Sequence, residues 1–360
     1  MSNNSKQVTV VVGMSGGVDS SVAALLLKKQ GYNVIGLHMK AENPDTAKED
    51  EMRVHELCEC LGIECVVVDY SNQMQTVKDY FIAEYKAGRT PNPCVVCNRD
   101  VKFKPFLEQA KKFGADFYAT GHYARIVHDQ DEHLLKKAVD DAKDQSYFLC
   151  QLSKDQLKNV LFPLGEFTKP EVRKIAEENN LISANTRDSY DICFLGSEKF
   201  KDFMQKNYPE ADGNIVDFKT QKVVGKHTGI SRYTVGQRKG LGIGGGHGKT
   251  GESWYVAEKN LKTNTIYVAQ GNGEELLSSA LISNKVNWLV DMGKTKEFDA
   301  FAKCRYRQSD QKVHIVIHDD NSVLVTFAQK QRAVTLGQYV VFYSEDGICL
   351  GGGTIDEIIK

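Results

Sequence analysis

The stretch VVVGMSGGVDSSVAALLLKKQGY, Val10 to Tyr32, decides the architecture. Val8 to Gly13 is an apolar β-branched run that reads as a buried strand, and Ser20 to Gln30 has helical spacing closed by Gly31. A strand, a glycine-rich turn and a helix in this order can hold phosphate. The glycines let backbone N–H groups approach an anion, and the helix start turns its positive end toward it. A G-x-x-x-x-G-K-[ST] loop would add a lysine that reaches the β- and γ-phosphates, and here that lysine is absent. A loop that grips pyrophosphate without it suits cleavage at the α-phosphate, with pyrophosphate leaving. Ser15, Ser20 and Ser21 add hydroxyl donors, and Asp19 places an acid where a magnesium-bound phosphate would lie. A turn that merely packed a helix on a sheet would have little use for them.

The same alternation continues downstream. Asn33 to Met39, Glu64 to Asp69 and Asp116 to Thr120 read as strands, and Glu49 to Leu61, Lys104 to Phe113 and Pro170 to Asn179 as helices. The expected class is α/β, a doubly wound parallel sheet with ligands beyond the carboxyl ends of its strands. Near residue 200 the texture changes. Ten glycines fall between Gly225 and Gly251, and the run GLGIGGGHGKTG cannot be a regular element. Beyond it, HIVIHDD, SVLVTFA and QYVVFYS are short β-branched runs between turn residues. Three domains are expected: residues 1–200 for nucleotide binding and catalysis, 201–273 as a small glycine-rich, basic α+β domain, and 274–360 as an antiparallel β-barrel.

Composition narrows the function classes. The chain has 360 residues, 41% of them hydrophobic, and a net charge of -1, which argues against a general polyanion binder. Between Lys219 and Lys262, however, nine Lys and Arg stand against two acids, a local footprint for a polyanion. No apolar run approaches the roughly 18 residues a membrane helix needs, and MSNNSKQ lacks a signal-peptide pattern. A cytoplasmic location and no membrane partner are the expectation. Nine scattered cysteines do not form a secreted disulfide framework.

Two cysteine turns carry chemistry of their own. GRTPNPCVVCNRDVKF holds Cys94 and Cys97, and SYDICFLGSEKF holds Cys193. Thiolates in a chain that also activates ATP suggest sulfur transfer, since a thiolate can carry a second sulfur as a persulfide. Thiolates that pass sulfur cannot also be closed off by metal, and the spacing with Cys58 and Cys60 is no clean zinc knuckle, so no metal site is expected. Cys58, Cys60, Cys65, Cys150, Cys304 and Cys349 read as small buried hydrophobes. His122 suits either nucleotide contact or a strand cap, His247 reads as exposed, and Asp188 and Asp191 as groups that orient the Cys193 turn.

SGGVDSS after an apolar strand resembles the loop of the PP-loop ATP pyrophosphatases. TPNPCVVCNRDVKF, TGHYARI, KDQSYFL, DICFLG, YTVGQRKGLGI and CRYRQ, in this order along the whole chain, resemble the bacterial tRNA-specific 2-thiouridylases of the MnmA type. The resemblance implies ATP-dependent 2-thiolation of a wobble uridine, with AMP and pyrophosphate as by-products and magnesium accompanying ATP. It implies that Gly13, Met14, Ser15, Gly16, Gly17, Val18, Asp19 and Ser20 bind the ATP phosphates, and that Met39 and Gly121 hold the adenosine. Cys97 would be the first catalytic cysteine and Cys193 the one that carries the persulfide. Asn92, Pro93 and Cys94 would lie beside the target base, while Lys143, Asp144, Gln145, Arg305, Tyr306 and Arg307 would touch tRNA. The implied partners are the tRNAs for Lys, Glu and Gln and a sulfur donor, either a cysteine desulfurase or a sulfur-relay protein. The family usually has Asp where this chain has Cys94. That leaves three readings of Cys94: a thiolate doing similar work, a partner for Cys97, or no essential role.

Overall fold

A computed structural model describes residues 7–40, 47–129, 132–186, 192–196, 198–243 and 252–360. Its first sheet is parallel and runs in the order β3-β2-β1-β4-β7. The strands are β1 (Thr9–Met14), β2 (Asn33–Lys40), β3 (Glu64–Asp69), β4 (Phe117–Ala119) and, after the hairpin β5 (Ala124–Asp129) and β6 (Glu132–Lys137), β7 (Val160–Leu161). Both faces are covered, which is why β1 is apolar at consecutive positions rather than alternate ones. Val10 and Val12 pack with Val22, Leu57 and Val172, from helices α1 (Val18–Lys29) and α2 (Ala47–Leu61) and from a later helix, while Val11 packs on the opposite face with Met74, Val95 and Phe106. The helices on that second face are α3 (Ser71–Lys86), α4 (Pro93–Cys97) and α5 (Lys104–Lys112). After the short α6 (Ser146–Leu149) and α7 (Lys154–Leu157), the helix α8 (Lys169–Glu178) returns to lie beside α1.

The strand order reverses at the β1/β4 pair. Connections after β1 lead one way across the sheet and those after β4 the other, so the carboxyl ends of these two strands open a crevice. The helix and strand positions read from sequence agree to within one or two residues for most elements. Sequence pattern missed α3 and the β5–β6 hairpin.

Helix α9 (Phe200–Asn207) leads into a four-stranded central sheet, ordered β10-β11-β8-β9, from β8 (Gly213–Asp217), β9 (Val223–His227), β10 (Trp254–Asn260) and β11 (Thr265–Gln270). The C-terminal sheet has eight antiparallel strands: β12 (Leu277–Ser283), β13 (Val286–Trp288), β14 (Glu297–Lys303), β15 (Gln311–Ile317), β16 (Val323–Arg332), β17 (Tyr339–Tyr343), β18 (Cys349–Thr354) and β19 (Glu357–Ile359). It curls as a half-barrel: Trp288 of β13 reaches Phe298 of β14, 6.0 Å between rings, although two strands separate them in the ladder. His247 and most of the glycine run lie outside the described residues. Among those described, no helix is long and apolar enough to cross a membrane.

The domains lock through the N-terminal one. Gln338 Nε2 donates to the carbonyls of Thr90 (2.9 Å) and Pro91 (3.2 Å), Thr90 N–H donates to Leu336 at 2.8 Å, and Arg89 pairs with both Glu84 and Asp356. Phe81, fully buried on α3, meets Phe194 at 5.3 Å, Phe200 at 6.0 Å and Phe203 at 6.1 Å. Phe194 directly follows Cys193, so this aromatic cluster anchors the Cys193 turn. Phe81→Ala is expected to cost about 3–5 kcal/mol in urea unfolding and to speed proteolysis near Cys193. Met52→Ala, at an exposed position of α2, should change stability by less than about 0.5 kcal/mol.

Candidate functional site

The turn between β1 and α1 is tied by its own hydroxyls. Gly16 takes φ +80°, a conformation that excludes most side chains. Ser15 N–H donates to Ser20 Oγ at 3.2 Å, and Ser20 Oγ donates to Gly17 carbonyl at 3.1 Å. Ser15 stays exposed, whereas Ser21 is buried and faces away, 2.6 Å from Ser183 Oγ. Its hydroxyl therefore ties α1 to the chain behind it and is not offered to a phosphate.

Gly121 approaches this turn so closely that a Cβ there would lie 2.7 Å from the carbonyl carbon of Asp19 and 2.8 Å from Ser20 N. Met39 is the penultimate residue of β2, one beyond the Met14–His38 pair, and is half-buried against the core. Gly13 through Ser20, Met39 and Gly121 thus gather at the carboxyl edge of the sheet. His122, next to Gly121, bonds through Nδ1 to Thr120 Oγ1 at 2.7 Å. Asp19 is already partnered. Lys169 Nζ donates to both of its oxygens, at 2.7 and 2.8 Å, and Tyr123 OH donates to Oδ1 at 2.8 Å. Neither Lys169 nor Tyr123 stood out in the sequence, because nothing local joins them to the loop.

Pro93 opens α4, which runs without a break into a π-helical turn, Asn98–Phe103. Such turns are rare and collect at functional sites. The Lys102 ammonium acts electrostatically on Cys94, Cys97 and His122 alike. Cys97 is buried, and that burial pushes its thiol up to about 12 against the opposing pull of Lys102, with Cys193 and Cys94 adding to the rise. Cys94 is exposed at the start of α4, yet crowding by protein atoms raises its thiol as well. Cys193 is exposed on a turn of 3₁₀ helix. All nine cysteines are unbridged, and among the described residues no group of three His, Cys, Asp or Glu gathers for a metal ion. Asp188 and Asp191 lie outside the described residues. Cys58, Cys150, Cys304 and Cys349 are buried as expected and Cys65 is half-buried, but Cys60 is exposed. Two residues along a helix is about 200° of rotation, so Cys60 faces outward when Cys58 faces in.

The remaining candidates separate. Asn92 and Pro93 are buried at the entry to α4. Asp144 is also buried, and its carboxylate accepts from Ala138 N–H (3.1 Å), Ser146 N–H (3.2 Å) and Ser146 Oγ (2.9 Å), so it braces the segment instead of facing a ligand. Gln145 clamps Tyr123: its N–H donates to the Tyr123 carbonyl at 2.7 Å and its Oε1 accepts from Tyr123 N–H at 2.9 Å. Lys143, half-buried, precedes this pair. Arg305 donates through Nη2 to Val235 and Ala333 carbonyls and to Thr335 Oγ1, each at 2.8 Å, joining the central and C-terminal domains. Tyr306 packs on Phe148 at 4.4 Å, and Arg307 alone of the three is exposed. The basic stretch also thins out. Arg232 is buried, the Nζ of Lys259 is shielded from solvent, and Lys249 lies outside the described residues. Lys219, Lys222, Lys226, Arg238, Lys239 and Lys262 remain exposed.

Known proteins match along the full length of the chain. The family described as tRNA methyl transferase HUP domain matches residues 8–197, the tRNA methyl transferase PRC-barrel domain matches 201–270, and the aminomethyltransferase beta-barrel domain matches 278–355. A tRNA-specific 2-thiouridylase MnmA of Bacillus cytotoxicus is 49% identical over 362 residues, spanning 98% of this chain and 96% of that protein. This chain belongs to the MnmA-type family of tRNA-specific 2-thiouridylases. The MnmA of Bacillus mycoides is likewise 49% identical, over 98% of this chain and 96% of its own length. Among solved structures, the U34-tRNA thiolase NcsA from Methanococcus maripaludis with its [4Fe-4S] cluster covers 56% of this chain and 67% of its own at 22% identity, with a TM-score of 0.37. That likeness is too loose to bear on the site of this MnmA-type chain.

Two measurements check the site. With iodoacetamide at neutral pH, mass spectrometry should find Cys60 and Cys193 alkylated well before Cys97, whose thiol is both buried and neutral. Desolvation, aided by Lys102, holds His122 well below its usual range, so the folded chain keeps it neutral. As pH falls through about 6.5, the unfolded chain takes a proton that the folded one refuses, and stability should drop by up to about 1.4 kcal/mol per pH unit. Urea unfolding of His122→Gln between pH 7 and 5 should show a flatter decline.

Proposed function

We propose that this chain is an ATP-dependent tRNA sulfurtransferase that converts the wobble uridine of tRNA to 2-thiouridine. The observation that carries the reading is that Phe103, which closes the π-helical turn continuing from Cys97, lies 5.8 Å from the His122 ring. His122 adjoins Gly121, and Gly121 rests on the backbone of the phosphate turn. A nucleotide bound at the turn and a sulfur carried by the cysteines would therefore share one small region.

A uridine 2-carbonyl is a poor electrophile, so activation must precede sulfur attack. In the proposed sequence the uridine O2 attacks the α-phosphorus of ATP. The bond from that phosphorus to its bridging oxygen breaks, the electron pair leaves on pyrophosphate, and the N3 proton goes to water. Gly13 through Ser20 hold the phosphates, and magnesium arrives with ATP. Met39 and Gly121 flank the adenosine. The terminal sulfur of a Cys193 persulfide then attacks C2 and expels AMP. Cys97 attacks Cys193 Sγ, which forms a disulfide and releases the thiolated base, and a small thiol or thiol protein reduces the disulfide afterward.

Exposure divides the roles of the cysteines. Cys193, open to solvent, suits loading by an external desulfurase or relay protein, and Cys97, buried, is protected until Cys193 carries sulfur. Lys143, Gln145, Tyr306 and Arg307, with the exposed lysines and Arg238 of the central domain, are the proposed tRNA contacts, and the tRNAs for Lys, Glu and Gln the proposed substrates. A base splayed out of an anticodon loop is the form in which such a site would receive it.

The test is nucleoside mass spectrometry of unmodified glutamate tRNA after incubation with the protein, Mg-ATP and a persulfide source. 2-Thiouridine is expected with the wild type and with Cys94→Ser, and none with Cys193→Ala or Cys97→Ala. AMP release without 2-thiouridine in the wild type would overturn the reading in favour of adenylation of another substrate.

A further inference from the structure

One pair of thiols lies outside the sulfur-transfer site. Cys58 stands on the last turn of α2, and Cys65 is the second residue of β3, the edge strand of the parallel sheet. Between them the chain reverses: Ile63 N–H donates to the Cys58 carbonyl at 3.0 Å and Gly62 N–H to the Glu59 carbonyl at 2.9 Å, with Gly62 at φ +57°. That turn lays the end of α2 over the start of β3. In the β2–β3 register Cys65 pairs with Gly36, and a Cβ on Gly36 would meet the Cys58 sulfur at 2.7 Å. Paired residues of a ladder project to the same face, and neighbouring strands lie about 4.8 Å apart, so the Cys58 sulfur sits beside Cys65 in the space Gly36 leaves open. There the Cys58 S–H donates to Cys65 Sγ.

Packing accounts for Cys58, which is 1% exposed among Val54, Leu57 and Leu61, but not for a second thiol in contact with it. Access sets this pair apart from the other buried cysteines. Cys150 and Cys349 also act on each other electrostatically, yet both are fully buried and out of reach of an oxidant. Cys65 is half-buried on a strand with one flank unpaired. Burial pushes the Cys58 thiol up to about 12, so Cys58 keeps its proton, and its hydrogen bond pulls the Cys65 thiol down against the rise that burial causes there. Cys65 is therefore the thiol that opens any reaction of the pair.

We propose that Cys58 and Cys65 form a reversible dithiol–disulfide site, oxidised by a small-molecule disulfide, whose closure fastens α2 to the edge of the parallel sheet. The Cys65 thiol loses its proton to water, and the thiolate attacks one sulfur of the small disulfide, forming a mixed disulfide and expelling one small thiolate. Cys58 gives its proton to that thiolate and attacks Cys65 Sγ. The Cys58–Cys65 bond forms, and the second small thiolate leaves and takes a proton from water. The two cysteines are oxidised, and the small disulfide is reduced to two thiols. The helix held by this bond is the one that lays Arg53 and Val54 against Gly16 of the phosphate turn.

The test treats the full chain with oxidised glutathione and maps its peptides without reduction after cleavage at glutamate, which separates Cys58, Cys60 and Cys65 because Glu59 and Glu64 lie between them. A Cys58–Cys65 link that dithiothreitol reverses is expected. In Cys58→Ser, glutathione should stay on Cys65 as a mixed disulfide, and in Cys65→Ser, Cys58 should remain a free thiol. Hydrogen exchange of the α2 amides should slow by about tenfold or more in the linked chain, because the bond closes a short loop that local opening would have to stretch. Cys65→Ser treated in the same way should show no such slowing. Glutathione retained on Cys65 of the wild type, a Cys60–Cys65 link, or no reaction at Cys65 while Cys60 and Cys193 react would each overturn the proposal. So would unchanged exchange in α2 once the link has formed. If Cys58→Ser does not fold, the wild-type map and its exchange decide alone.

Discussion

Backbone touches backbone where Gly121 meets Asp19 and Ser20, and the carboxyl edge of the parallel sheet depends on that contact. A Cβ at residue 121 would sit 2.7 Å from a carbonyl carbon, so no other residue lets the segments after β1 and β4 close on each other. Once they close, Tyr123 reaches Asp19, Gln145 clamps Tyr123, and the start of α8 completes the group through Lys169. The crevice at the strand-order reversal becomes a built site through these polar links, because a parallel sheet alone supplies only its location.

The cysteines are positioned by different means. Cys97 stands on a helix that turns π-helical immediately after it, and Lys102 within that turn acts electrostatically on its thiol. Cys193 stands on a short turn with little regular structure, held by the burial of Phe194 and Leu195 against α3 and α9. The C-terminal half-barrel contributes from a distance. Its Leu336 and Gln338 bind the Thr90 and Pro91 backbone that leads into α4, so the segment bearing Cys94 and Cys97 is braced by two domains.

Much of this is legible in the sequence, and the reasons differ by element. Strand β1 and helix α1 could be placed because a fully buried strand and a glycine turn leave a local signature. Helix α3 was passed over although it carries the local signal, since its buried Met74, Val77, Phe81 and Tyr85 fall three and four residues apart. Asp144 and Arg305 show the opposite case. Both are charged residues in motif-like surroundings, and the Asp144 carboxylate and the Arg305 Nη2 are engaged by neighbouring backbone and hydroxyl groups. Charge is visible in a sequence, whereas the partner that uses it up is not.

The sequence by itself determined the phosphate turn, the parallel-sheet class, the two cysteine segments and the family. These rest on short-range pattern: glycine where the backbone must bend, apolar residues where a strand is covered, cysteines at fixed spacing. Only the tertiary structure decided which cation pairs with Asp19, which thiol is open and which is shielded, and which basic residues still face outward. Lys169 and Asp19 are 150 positions apart in the chain, and their 2.7 Å contact exists because core packing sets α8 against α1. Electrostatic and hydrogen-bond partnerships act through space, so they become readable only after the fold has fixed the distances.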